Sequence, residues 1–229
     1  MDIVEASKHR VTPAWEYFGV CGGCSLQHLD AAAQIVEKEQ VLRDKLRQFG
    51  AVEPEGWLPP LTGPVWGYRR SARLGVRNVP KKGGIIVGFR ERRSSYLTPL
   101  RDCQTLDPRV ARLLPALIDL ISGISRNDRL PQIEAACGDD EVALVFRHLE
   151  PLTPADLARI AAFGRDHGVR VYLQPQGPES VIALEPADPA PLVYHLPEFE
   201  VAIHFRPADF IQVNAGINRA MVAQAIALL

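Results

Sequence analysis

Two cysteines separated by two glycines, Cys21-Gly22-Gly23-Cys24, have a spacing suited to chemistry. A tight glycine turn brings two such sulfurs together, so both can point at one metal ion or act as a redox pair. Cys103 can supply a third ligand from across the fold. His28, four residues beyond Cys24, can reach the same ion or simply hydrogen-bond near the start of the next helix. Cys137, at the end of an expected strand beside a turn, reads as a plain buried cysteine. A thioredoxin-like use of the pair wants a strand before it and a helix after it. The helix is expected from Asp30, but no strand precedes Cys21.

A second set of residues suits a polyanion. The net charge of −1 alone argues against nucleic acid, yet the charge is segregated. Between Arg69 and Arg101 stand ten basic residues against one acid, Glu91, a local +9 that leaves about −10 elsewhere. Such a face gains by releasing counterions condensed on phosphates. The candidate phosphate-binding residues are Arg69, Arg70, Arg73, Lys81, Lys82, Arg90, Arg92 and Arg93.

These residues need elements to position them. Asp2 to Ala6 reads as one strand, and residues 15–29 as a turn-rich segment. Asp30 caps a helix with Ile35, Leu42, Leu46 and Phe49 on one side and Gly50 as its stop. A Pro- and Gly-rich linker follows from Pro54 to Gly67. Tyr68–Val79 and Ile85–Arg92 read as a hairpin around residues 80–84, with many of its arginines able to share one solvent-facing side. Asp107-Pro108 opens a helix towards Ser122 that Pro115 should bend. Pro131–Ala136 and Val142–His148 form a second expected hairpin, followed by a helix from Thr153-Pro154 to His167 and a strand at Val169–Gln174. Strands are expected at Ser180–Glu185, Leu192–Leu196 and Glu200–Phe205, and an amphipathic helix at Asn214–Leu229 with no closing cap. The fold class is α+β, without internal repeats or low-complexity tracts.

An apolar content of 47% fits a folded domain with a core, and no apolar run reaches the roughly 20 residues that span a bilayer. The N-terminus lacks a secretory signal, and four cysteines without a disulfide framework suit a reducing compartment. A cytoplasmic protein without membrane contact is expected.

Several stretches together resemble the 23S rRNA (uracil-5-)-methyltransferases. They are residues 18–28 (FGVCGGCSLQH), Lys38-Glu39, residues 67–73 (GYRRSAR), residues 88–90 (GFR), Ser94-Ser95, Cys103 and residues 209–214 (DFIQVN). The resemblance covers about Val11 to Leu229. It implies an N-terminal RNA-binding β-barrel, a central [4Fe–4S] domain of strand pairs and helices, and a Rossmann-like domain that binds S-adenosylmethionine. The corresponding divisions here are residues 1–14 as a barrel remnant, 15–205 as the central domain and 206–229 as the incomplete start of the methyltransferase domain.

The family reaction is implied to proceed by cysteine addition at uracil C6, which activates C5 towards the methyl group, with a base removing the C5 proton. No cysteine here stands in the family's nucleophile context, so no catalytic residue is assigned. The resemblance gives Gln212 a contact to S-adenosylmethionine, and Cys21, Cys24 and Cys103 the role of cluster ligands. Phe210 beside Gln212 is a candidate for stacking near an extruded base, or for interdomain packing. The family's fourth cluster cysteine falls at Trp15, which cannot ligate iron, so the site is three-cysteine with an outside ligand, unstable, or empty. The expected partners are 23S rRNA and a methyltransferase domain, in the same protein or in trans. Two alternatives stay open: a non-enzymatic RNA-binding descendant, and a small zinc or redox protein.

Overall fold

Along β1 (Ser71–Val79) side chains alternate between two unlike environments. Ala72, Leu74 and Val76 are buried, while Arg73 and Arg77 are exposed. This period of two gives the whole sheet one apolar and one partly polar face. The computed structural model describes residues 3–229 of the chain. β1 pairs with β2 (Gly84–Gly88) as the first expected hairpin and, on its other edge, with β3 (Gln132–Cys137). β3 pairs with β4 (Val142–Arg147), and β4 runs parallel to β5 (Arg170–Gln174). β6 (Ile182–Glu185) closes the mixed six-stranded sheet in the order β2-β1-β3-β4-β5-β6. A separate antiparallel pair, β7 (Leu192–Leu196) and β8 (Val201–Phe205), completes the strands.

Helices cover one face. In register across four strands, Leu74, Ile133, Phe146 and Leu173 pack into a core with Leu114, Leu117, Ile121, Ile160 and Phe163. α4 (Pro154–His167) supplies the crossover that parallel β4 and β5 require. It begins with a capping box in which Thr153 and Asp156 satisfy each other's backbone N–H groups. The bend expected at Pro115 is a full break. α2 (Pro108–Ala111) stops, and α3 (Leu114–Ser122) restarts with Pro115 in its first turn, where a missing N–H costs nothing. On the opposite face, Ala136, Ala143, Val145 and Tyr172 form a smaller core with Leu192, Phe205 and Ile211. That cover extends over only half of the face, leaving Arg73, Arg77, Gln132, Glu134 and Arg147 uncovered.

Two expectations are corrected. Ile3–Ala6 contains bends and no strand, because nothing pairs with it; Asp2 lies outside the described residues. α1 (Ala31–Lys45) forms under the Asp30 cap, but its expected apolar side is not buried: Leu42 and Phe49 are exposed, and Ala33 is its one buried residue. Of that expected side, Ile35 and Leu46 are partly covered. The helix ends in a π-turn over Leu46–Gly50, and the left-handed stop falls at Ala51 rather than Gly50.

Candidate nucleic-acid interface

Six arginines line one cleft of about 1530 Å³: Arg73, Arg77, Arg90, Arg92, Arg93 and Arg147. Glu91 and Asp128 line it beside them, and Glu134 pairs with Arg73 Nε at 2.9 Å. Arg73 and Arg77 come from exposed positions of β1, four residues apart and therefore on one side. Arg90, Arg92 and Arg93 come from the turn after β2, where Arg93 takes a left-handed φ of 55°.

The cysteine loop holds that turn in place. Gly22 N–H donates to the Arg90 carbonyl at 2.8 Å, Arg92 N–H donates to the Val20 carbonyl at 2.8 Å, and Cys21 bridges to Glu91. A Cβ at Gly22 would come within 2.7 Å of the Arg90 oxygen, so the backbone approach requires glycine there. The Cys-Gly-Gly-Cys segment is thus the mount of the basic turn.

The other expected phosphate ligands are spread differently. Lys81 and Lys82 lie exposed at the hairpin tip, outside the residues that line the cleft, with Lys82 Nζ 5.8 Å from the Tyr96 ring. Arg69 is half-buried, its backbone bridging to Leu106 and Asn214. Arg70 departs from the expectation altogether. It is only 5% exposed, its Nε donates to the Gln212 carbonyl at 2.8 Å, and its guanidinium lies 4.3 Å from the Tyr194 ring centroid. Burial lowers its pKa, and the side chain faces protein rather than solvent. Arg147 was missed in the sequence because it stands far from the basic run. The alternation of β4, which places it on the side of Ala143 and Val145, was the available signal.

The segment 209–214 is fixed by Arg70. Besides the bond to Gln212, the Arg70 N–H donates to the Val213 carbonyl at 3.0 Å. Ile211 is buried in the smaller core, so Phe210 and Gln212 point outward, Phe210 being 86% exposed. Asn214 then caps α5 (Ala215–Ala227) by accepting from Ile217 N–H at 3.0 Å.

Cys21, Cys103 and Trp15 are buried in one apolar cluster. Trp15, where the resemblance implies a fourth cysteine, meets Tyr17 edge-on at 5.1 Å. Cys21 Sγ accepts from Gly23 N–H at 3.4 Å, and Cys103 Sγ shares a hydrogen bond of 3.3 Å with Thr105 Oγ1. Burial pushes the Cys21 thiol up, and neighbouring Cys103 and Cys24 add to the rise. Among the described residues no three Cys, His, Asp or Glu side chains form a group able to hold a metal ion. His28 leans on Phe18 at 5.5 Å. Two buried thiols and the half-buried Cys24, with tryptophan at the fourth position, do not fit a four-thiolate cluster. Cys137 is a core thiol that burial, aided by the charge of Asp107, pushes up to about 12.

No family model matches the chain. It is 55% identical over 227 residues to the 23S rRNA (uracil(1939)-C(5))-methyltransferase RlmD of Aromatoleum aromaticum, covering 99% of this chain and 52% of that protein. The protein of that name from Alkalilimnicola ehrlichii is 52% identical over 231 residues, again covering 52% of its length. The chain is homologous to 23S rRNA (uracil-C5)-methyltransferases. It spans about half the length of these methyltransferases. A crystal structure of the Pyrococcus abyssi tRNA (uracil-54, C5)-methyltransferase with S-adenosyl-L-homocysteine has the same fold over all of this chain and 53% of its own. The TM-score is 0.65 at 19% identity. No helix among the described residues is long and apolar enough to cross a membrane.

Proposed function

We propose that this chain is the RNA-holding part of an S-adenosylmethionine-dependent enzyme that methylates C5 of a uracil in 23S rRNA. The observation that carries the reading is the cleft into which six arginines converge. Arg73, Arg77, Arg90, Arg92, Arg93 and Arg147 hold phosphates, and Arg69, Lys81 and Lys82 extend the positive field around them. Arg70 is left out of this set, since its guanidinium is spent on packing and on Gln212.

Residues 15–205 serve as the central domain, 206–229 begin the cofactor-binding domain, and 1–14 lead in from an RNA-binding barrel. Phe210 offers an exposed ring on which an extruded base can rest. Gln212 presents its amide to the cofactor while Arg70 holds its backbone still. S-adenosylmethionine supplies an electrophilic methyl group when bound.

Carbon 5 of uracil is a poor nucleophile until a thiolate adds at C6. Cys137, pushed up to about 12, and Cys21, raised by burial, are unsuited to that task. None of the four cysteines stands in the family's nucleophile context, so this reading assigns the thiolate and the base that takes the C5 proton to the rest of the enzyme, in the same chain or in trans.

The test is methyl transfer from labelled S-adenosylmethionine to a 23S rRNA fragment by the full-length protein that contains this sequence, with nucleoside mass spectrometry. The expected product is 5-methyluridine. Charge reversal at Arg92 and Arg93 should raise KM for RNA more than it lowers kcat. Methylation confined to another base, or none, overturns the reading.

A further inference from the structure

The half of the sheet face that β7 and β8 leave uncovered carries a row of side chains directly in register. Gly75 of β1 pairs with Gln132 of β3, Gln132 with Arg147 of β4, and Arg147 with Gln174 of β5. Because register partners share a face, Gln132, Arg147 and Gln174 form one line across the strands. The line spans about 10 Å, two strand spacings of roughly 4.8 Å.

This row joins two cavities. The arginine cleft and a smaller cavity of about 210 Å³ share Arg73, Gln132 and Arg147 along their walls. The smaller one continues over Gln174 and Gln176 to Ala208, two residues before the exposed ring of Phe210. One groove therefore runs from the basic turn to the loop that carries Phe210. Its floor is chemically distinct from its basic end. Three carboxamides line it: Gln176 is exposed, Gln132 is half-buried with its Nε2 donating to Glu134, and Gln174 is 7% exposed at the bottom of the smaller cavity. The acid on the floor, Glu134, is tied up by Arg73 Nε at 2.9 Å and Gln132 Nε2 at 2.6 Å.

We propose that this groove is a track for an unpaired RNA strand, entering at Arg90–Arg93, crossing Gln132, Arg147 and Gln174, and leaving at the Phe210 loop. The inference rests on the RNA reading above and adds the form of the substrate and Arg147 as a binding residue. Arg147 holds a phosphate midway, while the carboxamides meet base edges. Paired bases keep those edges occupied, so only unstacked, unpaired bases can use such a floor. The exposed aromatic ring at the exit gives the last base a surface to stack on.

The experiment measures binding of the 229-residue chain to a labelled 12-nucleotide single-stranded RNA and to the same sequence as a duplex. The single strand is expected to bind at least tenfold more tightly. Arg147→Ala should weaken single-strand binding about tenfold at low salt and lower the salt slope by about 0.7, the value for one lost single-strand phosphate contact. Arg159→Ala, an exposed change on α4 across the sheet, should leave both unchanged. A second measurement needs no variant: 4-thiouridine placed at the two ends of the bound strand should crosslink to peptides around 90–97 at one end and 205–212 at the other. Equal binding of duplex, or an Arg147→Ala chain that binds normally while Arg92→Ala and Arg93→Ala weaken, overturns the track and leaves the RNA reading intact. Failure of the unaltered chain to bind any of these RNAs overturns both.

Discussion

Arg70 donates its Nε–H to the main-chain carbonyl of Gln212, 142 residues further on, at 2.8 Å. With its N–H to the Val213 carbonyl and its guanidinium against Tyr194, it ties β1 to the segment that presents Phe210 and Gln212. The basic sheet and the proposed cofactor edge thus share one fastening.

Replacement of Arg70 by Ala should cost about 2–3 kcal/mol, since a charged, buried hydrogen bond and a cation–π contact go together. Arg70→Lys should recover only part of this, because an ammonium cannot bond Gln212 and stack on Tyr194 with one planar fork. Urea unfolding reads the loss. The salt slope of RNA binding should stay unchanged; a slope reduced by a full phosphate contact would return Arg70 to the RNA face.

Trp15 is expected to decide the metal chemistry of the cysteine loop. The chain should purify colourless, without iron–sulfur absorption, and its melting temperature should not respond to chelators. Trp15→Cys, reconstituted anaerobically with iron and sulfide, should acquire visible absorption by completing a four-thiolate set with Cys21, Cys24 and Cys103. Without metal that variant should lose about 3–5 kcal/mol through the cavity left by the indole. Stoichiometric iron and sulfide in the unaltered chain would refute this account of Trp15.

Asp156 shapes the response to acid. Burial alone would raise its pKa, but hydrogen bonds from the side chains and backbones of Ser125 and Thr153 outweigh that and bring it down to about 2. A folded pKa below the ordinary carboxylate value gives stability that is present above about pH 4 and is lost as pH falls towards 2. Asp156→Asn should remove about 2 kcal/mol at pH 7 and flatten the loss between pH 4 and 2. Denaturant midpoints at pH 7 and pH 3 check it; an equal deficit at both values would count against the assignment.

Gly88 ends β2 against the strand-like stretch that returns beneath it. A Cβ there would stand 1.9 Å from the Thr98 carbonyl oxygen and 2.9 Å from Leu100. Since backbone cannot move aside as a side chain can, Gly88→Ala should displace residues 97–100, destabilise the fold by about 3 kcal/mol or more and loosen the arginine turn. Gly75→Ala meets only the end of Leu97, at 2.6 Å, and should be far milder. Thermal melts of the two variants compare them directly.

Local chemistry made much of this protein legible in its sequence. Alternation marked β1, Asp30 and Thr153 marked helix starts, and the clustered arginines marked most of the basic cleft, because each depends on near neighbours. The motifs around Cys21 and Gln212 marked the family. Pairing between distant strands had no such local signature. That β1 joins β3, that β4 and β5 run parallel, and that Arg147 lands beside Arg73 follow from how apolar faces are buried together. The same burial turned Arg70 from a phosphate candidate into a fastening for Gln212, although its neighbour Arg69 looks equivalent in the sequence. Residue type and spacing set the available chemistry, while the tertiary packing decided which arginines face water and which face protein.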